Sequence, residues 1–285
     1  DHKFDAISQA DFYAMFGIFS STLPATVAVD APGVLEKNRE ELTAMKPDLR
    51  RAIADHWLKT VSLDSPAWEK AIAAATDPNA FLHPLNRIAE ADGNPDAAAN
   101  AWKGVRENFR KRWAESEAAR AEGNLRHRWD LSDADAWKSW SRYGEGLEAQ
   151  DSPAAAGEFA LAGADDQSKR VVSRIFPSGA YTNLVSARHR GVLASEPFEL
   201  DGEYDLYLNV AGDQNSSFRY AVQNYPRSGT VYPVNTLNGG GWKWIKHDRI
   251  DYWNGDRIHL ELATAGDAPI LVKDGDRSWF GIREA

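Results

Sequence analysis

The stretch Glu203-Tyr204-Asp205-Leu206-Tyr207-Leu208-Asn209-Val210 decides the fold, because Tyr204, Leu206, Leu208 and Val210 alternate with Glu203, Asp205, Tyr207 and Asn209. A period of two sends the two sets to opposite sides of an extended chain, the pattern of a half-buried antiparallel strand. The same alternation returns at 217–225, where Phe218, Tyr220 and Val222 face one way and Arg219, Ala221 and Gln223 the other. It returns again at 257–263, with Ile258, Leu260 and Leu262 opposed to Arg257, His259 and Glu261. Further strands are expected at 170–176, 181–185, 229–234, 242–247, 270–273 and 279–283, separated by Gly, Pro, Asn and Asp turns. Strands at this spacing predict a two-sheet antiparallel β-sandwich of jelly-roll type over 161–285.

Upstream the text changes. Trp102, Val105, Phe109 and Trp113 recur at spacings of three and four, the stripe of an amphipathic helix that begins at Asn94-Pro95 and stops near Gly123. Leu42, Met45, Leu49, Ile53 and Trp57 form a similar stripe, which Pro47 is expected to break or kink. Shorter helices are expected at 66–75 and 81–91, and the Gly/Ala-rich 154–164 reads as a linker. The fold class is therefore α+β multidomain: a mainly α-helical region over 1–160, a helical hairpin or bundle with a tryptophan core, followed by the sandwich.

Composition removes several classes. The 285 residues carry 33 Lys+Arg against 42 Asp+Glu, a net charge of −9 that gives no general attraction for nucleic acid. Residues 1–160 hold 26 acidic and 19 basic side chains and 161–285 hold 16 and 14, so the β region is near neutral and free to carry local basic clusters. With no Cys the chain holds no disulfide, thiolate metal site or covalently attached haem. No apolar run is long enough to span a membrane. The seven His are never within four positions of one another, which denies the short spacing of a metalloenzyme helix, and there is no nucleophile elbow or phosphate-binding loop.

Two passages carry a family resemblance. Asp1-His2-Lys3-Phe4-Asp5-Ala6-Ile7-Ser8, with Asp11-Phe12-Tyr13 and Gly17-Ile18-Phe19-Ser20, is one; Phe176-Pro177-Ser178-Gly179-Ala180-Tyr181, then His189-Arg190-Gly191-Val192-Leu193-Ala194-Ser195 and Phe198, is the other. Arg219-Tyr220-Ala221-Val222-Gln223-Asn224-Tyr225 and Trp253-Asn254-Gly255-Asp256-Arg257 follow in the same order. Both passages resemble the large secreted planctomycete-type proteins that combine a cytochrome-c-like motif with domains of unknown function. The resemblance implies an internal fragment starting just after the haem-attachment motif, a periplasmic or cell-surface parent protein, a carbohydrate-binding-like sandwich, and other parent domains as partners. Haem then belongs to the parent, with His2 next to it, and no cofactor to this chain.

A sugar site needs aromatic faces for C–H groups and fixed amide, carboxylate or guanidinium groups for hydroxyls. The strand faces offer Tyr207, Asn209, Arg219, Gln223, Tyr225, His259 and Glu261, which would make one concave strip if their strands are neighbours. Arg188, His189 and Arg190 form a compact basic cluster. Asn224, Tyr225 and Arg227 precede a turn, and either group suits an acidic or sulfated glycan. Against this, polar outer faces are ordinary in sandwiches, and the His-Arg-Gly run also suits a turn paired with carboxylates such as Glu196 and Glu199. Trp242 and Trp244 share one strand face and, with Trp253 and Trp279, are expected in the core. Asp274 and Asp276, and separately Asp213 with Asn215, offer oxygens for a structural calcium. The leading expectation is a non-catalytic carbohydrate-binding module. The alternatives are a structural scaffold that binds no sugar, and a polysaccharide-degrading enzyme whose acids would be sought among Glu199, Glu203, Asp205 and Glu261.

Overall fold

A computed structural model gives the structure of the chain and describes residues 7–20, 33–34, 37–60, 65–78, 80, 82–122, 125–148, 150–162, 171–225, 227–247, 249–268 and 275–285. Helices occupy the N-terminal half and antiparallel sheets the C-terminal part. The chain divides into two compact units, one of residues 45–127 and one of 1–44 with 128–285.

The helical unit contains most of α2 (Arg39–Thr60), α3 (Pro66–Ala74), α4 (His83–Ala89) and α5 (Pro95–Glu122). Asn94 caps α5 as its sequence predicts: its side-chain oxygen accepts the N–H groups of Asp96 at 3.0 Å and Ala97 at 3.1 Å, and Pro95 lacks the N–H that would otherwise need a partner. Ser65 caps α3 in the same way, ahead of Pro66. Pro47 does not break α2, which runs through it as one helix. Pro47 is exposed, so water can reach the carbonyl that its missing N–H leaves free.

Among the described residues the expected tryptophan core is not there; the Trp57 side chain lies outside them. α5 packs against α4, and α4 against α3, yet Trp102, Phe109 and Trp113 are 45%, 58% and 58% exposed. The short α3 and α4 cover too little of a 28-residue helix to bury its stripe. Phe109 and Trp113 instead stack on each other, 6.3 Å between ring centroids.

In the other unit, α1 (Gln9–Ser20) is opened by a reciprocal cap in which the Ser8 hydroxyl accepts the Asp11 N–H at 3.1 Å and the Asp11 carboxylate accepts the Ser8 N–H at 3.1 Å. The Ser8 hydroxyl also donates to the Asp11 carboxylate at 2.6 Å, and this bond together with the Ser8 N–H holds the Asp11 carboxyl below its ordinary value. The strands are β1 (Ser141–Tyr143), β2 (Glu158–Leu161), β3 (Val172–Phe176), β4 (Ala180–Tyr181), β5 (Val192–Ala194), β6 (Phe198–Glu199), β7 (Leu206–Asp213), β8 (Ser216–Val222), β9 (Val234–Leu237), β10 (Lys243–His247), β11 (Arg257–Ala263) and β12 (Trp279–Glu284). One sheet has the order β1-β5-β11-β8-β9, with β6 also on β11; a second has β10-β7-β12-β4; β2 and β3 make a separate pair. The residues expected to form a linker thus carry β2, where Phe159 is buried. The strand expected at 270–273 lies outside the described residues.

The period-two reading of the inward set holds. Leu206, Leu208 and Val210 from one sheet meet Phe218, Tyr220, Val222, Ile258, Leu260 and Leu262 from the other in a single core, closed by Trp137 and Trp140 from the segment before β1. Only Gln214 and Asn215, both with positive φ (48° and 62°), carry the chain from β7 in one sheet to β8 in the other.

Candidate functional site

The end of β8 builds the site. Gln223 and Asn224 have φ of 54° and 57°, and the Tyr225 N–H closes the turn on the Val222 carbonyl at 2.8 Å. The Gln223 N–H donates to the Arg257 carbonyl at 2.8 Å, tying this turn to the start of β11. The turn presents Tyr225, 50% exposed, at the edge of a groove of about 820 Å³. The Arg227 guanidinium lies 4.5 Å from the Tyr225 ring centroid and 5.6 Å from that of Tyr232. Tyr232 in turn packs on Trp253 at 4.6 Å, and Gln223 donates its side-chain N–H to the Asp256 carboxylate at 3.0 Å. Arg257 completes the polar lining, and α1 contributes Phe12, Met15, Phe16 and Phe19, one helical stripe, as an apolar wall.

Two side-chain donors fix this loop set. The Trp253 indole N–H donates to the Val231 carbonyl at 2.7 Å, and the Tyr220 hydroxyl sits 3.1 Å from the same carbonyl and 3.0 Å from that of Arg249. Burial pushes the Tyr220 phenol up to about 12, so it stays a donor across the physiological range.

The expected single polar strip divides into three places. Gln223 and Tyr225 belong to the groove. Tyr207 and Asn209 lie on β7 in the other sheet, so they are not neighbours of Arg219, His259 and Glu261. There, Lys246 stands opposite Tyr207 and Trp244 opposite Asn209, and Lys246 pairs with Asp205. Arg219, His259 and Glu261 face away from the core, but on the two central strands β8 and β11, where they are only 5%, 2% and 6% exposed. Arg219 pairs with Glu261, and the His259 ring stands 3.9 Å from the same carboxylate with neither ring nitrogen hydrogen-bonded among the described residues. Burial pushes the Glu261 carboxyl up, but His259 and the Arg219 charge outweigh it and hold the group below its ordinary value.

The basic cluster at 188–190 is also split: Arg188 and Arg190 are exposed while His189 is buried. The Arg190 N–H donates to Glu145 at 3.4 Å, its carbonyl accepts from Gly146 at 2.8 Å, and its guanidinium lies against Gly266, which fits a turn held to neighbouring segments. The nearby Asp267 carboxyl is raised by burial, against the Thr264 hydrogen bond and the Arg190 charge.

The tryptophans also divide. Trp279 is in the core, while Trp242 is half-buried against Tyr181 with the tip of its indole over Gly281. Trp244 is 50% exposed, because its strand is the edge of its sheet and its side chain points away from the core. Trp253 is half-buried at the groove rather than internal. Sequence reasoning placed Tyr225 and Arg227 together but missed Tyr232 and Asp256; the Trp253-Asn254-Gly255-Asp256 turn was the available signal.

Of the two expected calcium ligands, Asp274 lies outside the described residues and Asp276 is exposed in a turn. The Asp213 carboxylate accepts the N–H groups of Gln214 at 2.8 Å and Gly239 at 3.2 Å. Among the described residues no three His, Asp or Glu side chains are grouped to hold a metal ion, and no helix is long and apolar enough to cross a membrane.

No family model and no curated protein matches the chain. Among solved structures, the chain is similar to that of TmCBM61 in complex with beta-1,4-galactotriose, with 12% identity and a TM-score of 0.28 over 52% of this chain and 87% of that one.

Proposed function

We propose that the two larger sheets form a jelly-roll-type sandwich that binds glycan, and that the chain is a non-catalytic, carbohydrate-binding part of an exported multidomain protein. The observation that carries the reading is the groove at the end of β8, where Tyr225, Tyr232 and Trp253 sit beside the Arg227 guanidinium and the Gln223–Asp256 pair. Aromatic faces pack on sugar C–H groups, and the amide, carboxylate and guanidinium match hydroxyls in direction and polarity. Asp256 is the one carboxylate among the described groove residues, whereas glycoside hydrolysis by the usual route needs a flanking pair.

The test is affinity electrophoresis and calorimetry of the full chain against a panel of neutral, uronic and sulfated polysaccharides. Tyr225→Ala is expected to weaken binding by about tenfold or more, the cost of removing a central aromatic contact. Trp244→Ala, on the other sheet, is expected to leave it unchanged. Binding lost through Trp244 and kept without Tyr225 would move the site.

A second reading, a scaffold that packs against other parts of a larger protein, is favoured by α1. Phe12, Tyr13, Met15, Phe16, Ile18 and Phe19 are 51–62% exposed, a large apolar surface for a 12-residue helix. No binding to any polysaccharide in the panel would support it.

A further inference from the structure

The geometry points to an anionic sugar, one bearing a carboxylate or a sulfate ester, as the ligand class of the Tyr225 groove; this rests on the glycan reading above. The argument begins with how Arg227 is held. Its guanidinium is stacked against Tyr225 at 4.5 Å and lies 5.6 Å from Tyr232, and among the described residues no carboxylate forms an ion pair with it. Stacking fixes the plane of a guanidinium while leaving its N–H edge free, and that edge matches two oxygens of a carboxylate or sulfate at once.

The nearby acid does not meet this need. Asp256 accepts the Gln223 side-chain N–H at 3.0 Å and is not within ion-pair distance of Arg227. Arg257 lines the same groove, so its described charged lining is two Arg against one Asp, a local excess of positive charge on a chain of net −9. A chain with that overall charge repels polyanions at long range, so an acidic glycan held by it must be held at a local cationic point. Nothing in the groove selects between the two anions, since planar carboxylate and sulfate both offer paired acceptor oxygens.

The full chain is titrated by calorimetry with three probes of similar length: an oligogalacturonate, a sulfated oligogalactan and an uncharged oligogalactan. Binding of one or both anionic probes, with the uncharged one at least about tenfold weaker, is expected, and the preferred arm identifies the anion. Arg227→Gln is expected to weaken the anionic probe by about ten- to hundredfold and the uncharged one, which loses only a hydroxyl contact to the guanidinium, by no more than about threefold. Arg227→Lys, which keeps the charge but not the fork, should recover part of that loss. Thermal unfolding midpoints of both variants that match that of the native chain, together with the much smaller loss for the uncharged probe, show that the loss is not one of fold.

Equal affinity for all three probes, or anionic binding that survives Arg227→Gln, overturns the inference while leaving a glycan-binding groove. Anionic binding abolished by Arg188→Ala instead would assign it to the other basic cluster and overturn it as well. Binding of no probe overturns both this inference and the glycan reading.

Discussion

Arg219 on β8 and Glu261 on β11 are cross-strand partners, and the guanidinium donates to the carboxylate where both side chains are more than nine-tenths buried. A pair in that position is costly to desolvate and costlier to break, because removing one member leaves the other charged and uncompensated. Arg219→Met is therefore expected to destabilise the fold by about 3–5 kcal/mol in urea unfolding, and Arg219→Met with Glu261→Leu to recover most of that. A double variant as unstable as the single one would mean that the charges are needed for more than each other.

The same pair sets an acid limit. The folded Glu261 carboxyl titrates below its ordinary value of 4.5, so the folded state binds the proton less readily than the unfolded one. Its contribution is present above about pH 4.5 and lost as the pH falls through the lower folded value. Asp267 has the opposite sign: raised by burial, it favours the folded state below its ordinary 3.8 and loses that contribution as the pH rises through the folded value. Urea midpoints measured between pH 3 and 6 should fall steeply at the acid end in the native chain, and less steeply in the Arg219→Met/Glu261→Leu variant.

The Tyr220 hydroxyl ties the groove to the core. Tyr220→Phe leaves the ring in place and removes the donor shared by the Val231 and Arg249 carbonyls, at a cost of about 1–3 kcal/mol. Because Val231 also accepts from Trp253, the change should weaken glycan binding as well as stability. An unchanged affinity would show that Trp253 alone positions the loop.

What the sequence revealed and what it hid follow from the same period of two. Alternation separated Phe218, Tyr220 and Val222 from Arg219, Ala221 and Gln223, and the structure keeps those faces apart. Alternation carries no information on which strands become neighbours, so Tyr207 was grouped with His259 although they lie in different sheets. Nor does it show that a polar face will be covered, as it is on central strands β8 and β11, where small Ser217, Ala221 and Ala263 flank the charged side chains. β4 and β6 have two residues each and β5 has three, too short to show any period. Tyr225 and Trp253 come together only through the turn at Gln223-Asn224 and the hydrogen bonds to Val231, long-range features that no local spacing records.

Gly281 on β12 is where two rings cross a strand. A Cβ there would stand 2.6 Å from the Tyr181 ring and 3.4 Å from the tip of Trp242. Tyr181 is fully buried, held by its hydroxyl on the Pro177 carbonyl at 2.6 Å and by Phe176 at 4.5 Å, so it has little room to yield. Gly281→Ala is expected to cost about 1–3 kcal/mol, with a change in tryptophan fluorescence as Trp242 is displaced. A neutral result would mean that β2 and β3 shift with Tyr181 as one body.

Trp244 and Trp253, alike to a reading of the sequence, should respond oppositely to truncation. Trp244 is half exposed on an edge strand, and among the described residues its ring has no aromatic or cationic partner, so Trp244→Ala should change stability by no more than about 0.5 kcal/mol. Trp253 stacks on Tyr232 and donates to the Val231 carbonyl, and Trp253→Ala should cost about 2–4 kcal/mol, the lower part of the range for a large aromatic because the ring is only half-buried. Trp253→Phe separates the two contributions: it keeps a ring on Tyr232 but leaves the Val231 carbonyl without the indole donor, for about 1 kcal/mol. Since Tyr220 still reaches that carbonyl, glycan affinity should drop less in Trp253→Phe than in Trp253→Ala. Equal losses in the two would assign the role of Trp253 to its hydrogen bond rather than to its ring.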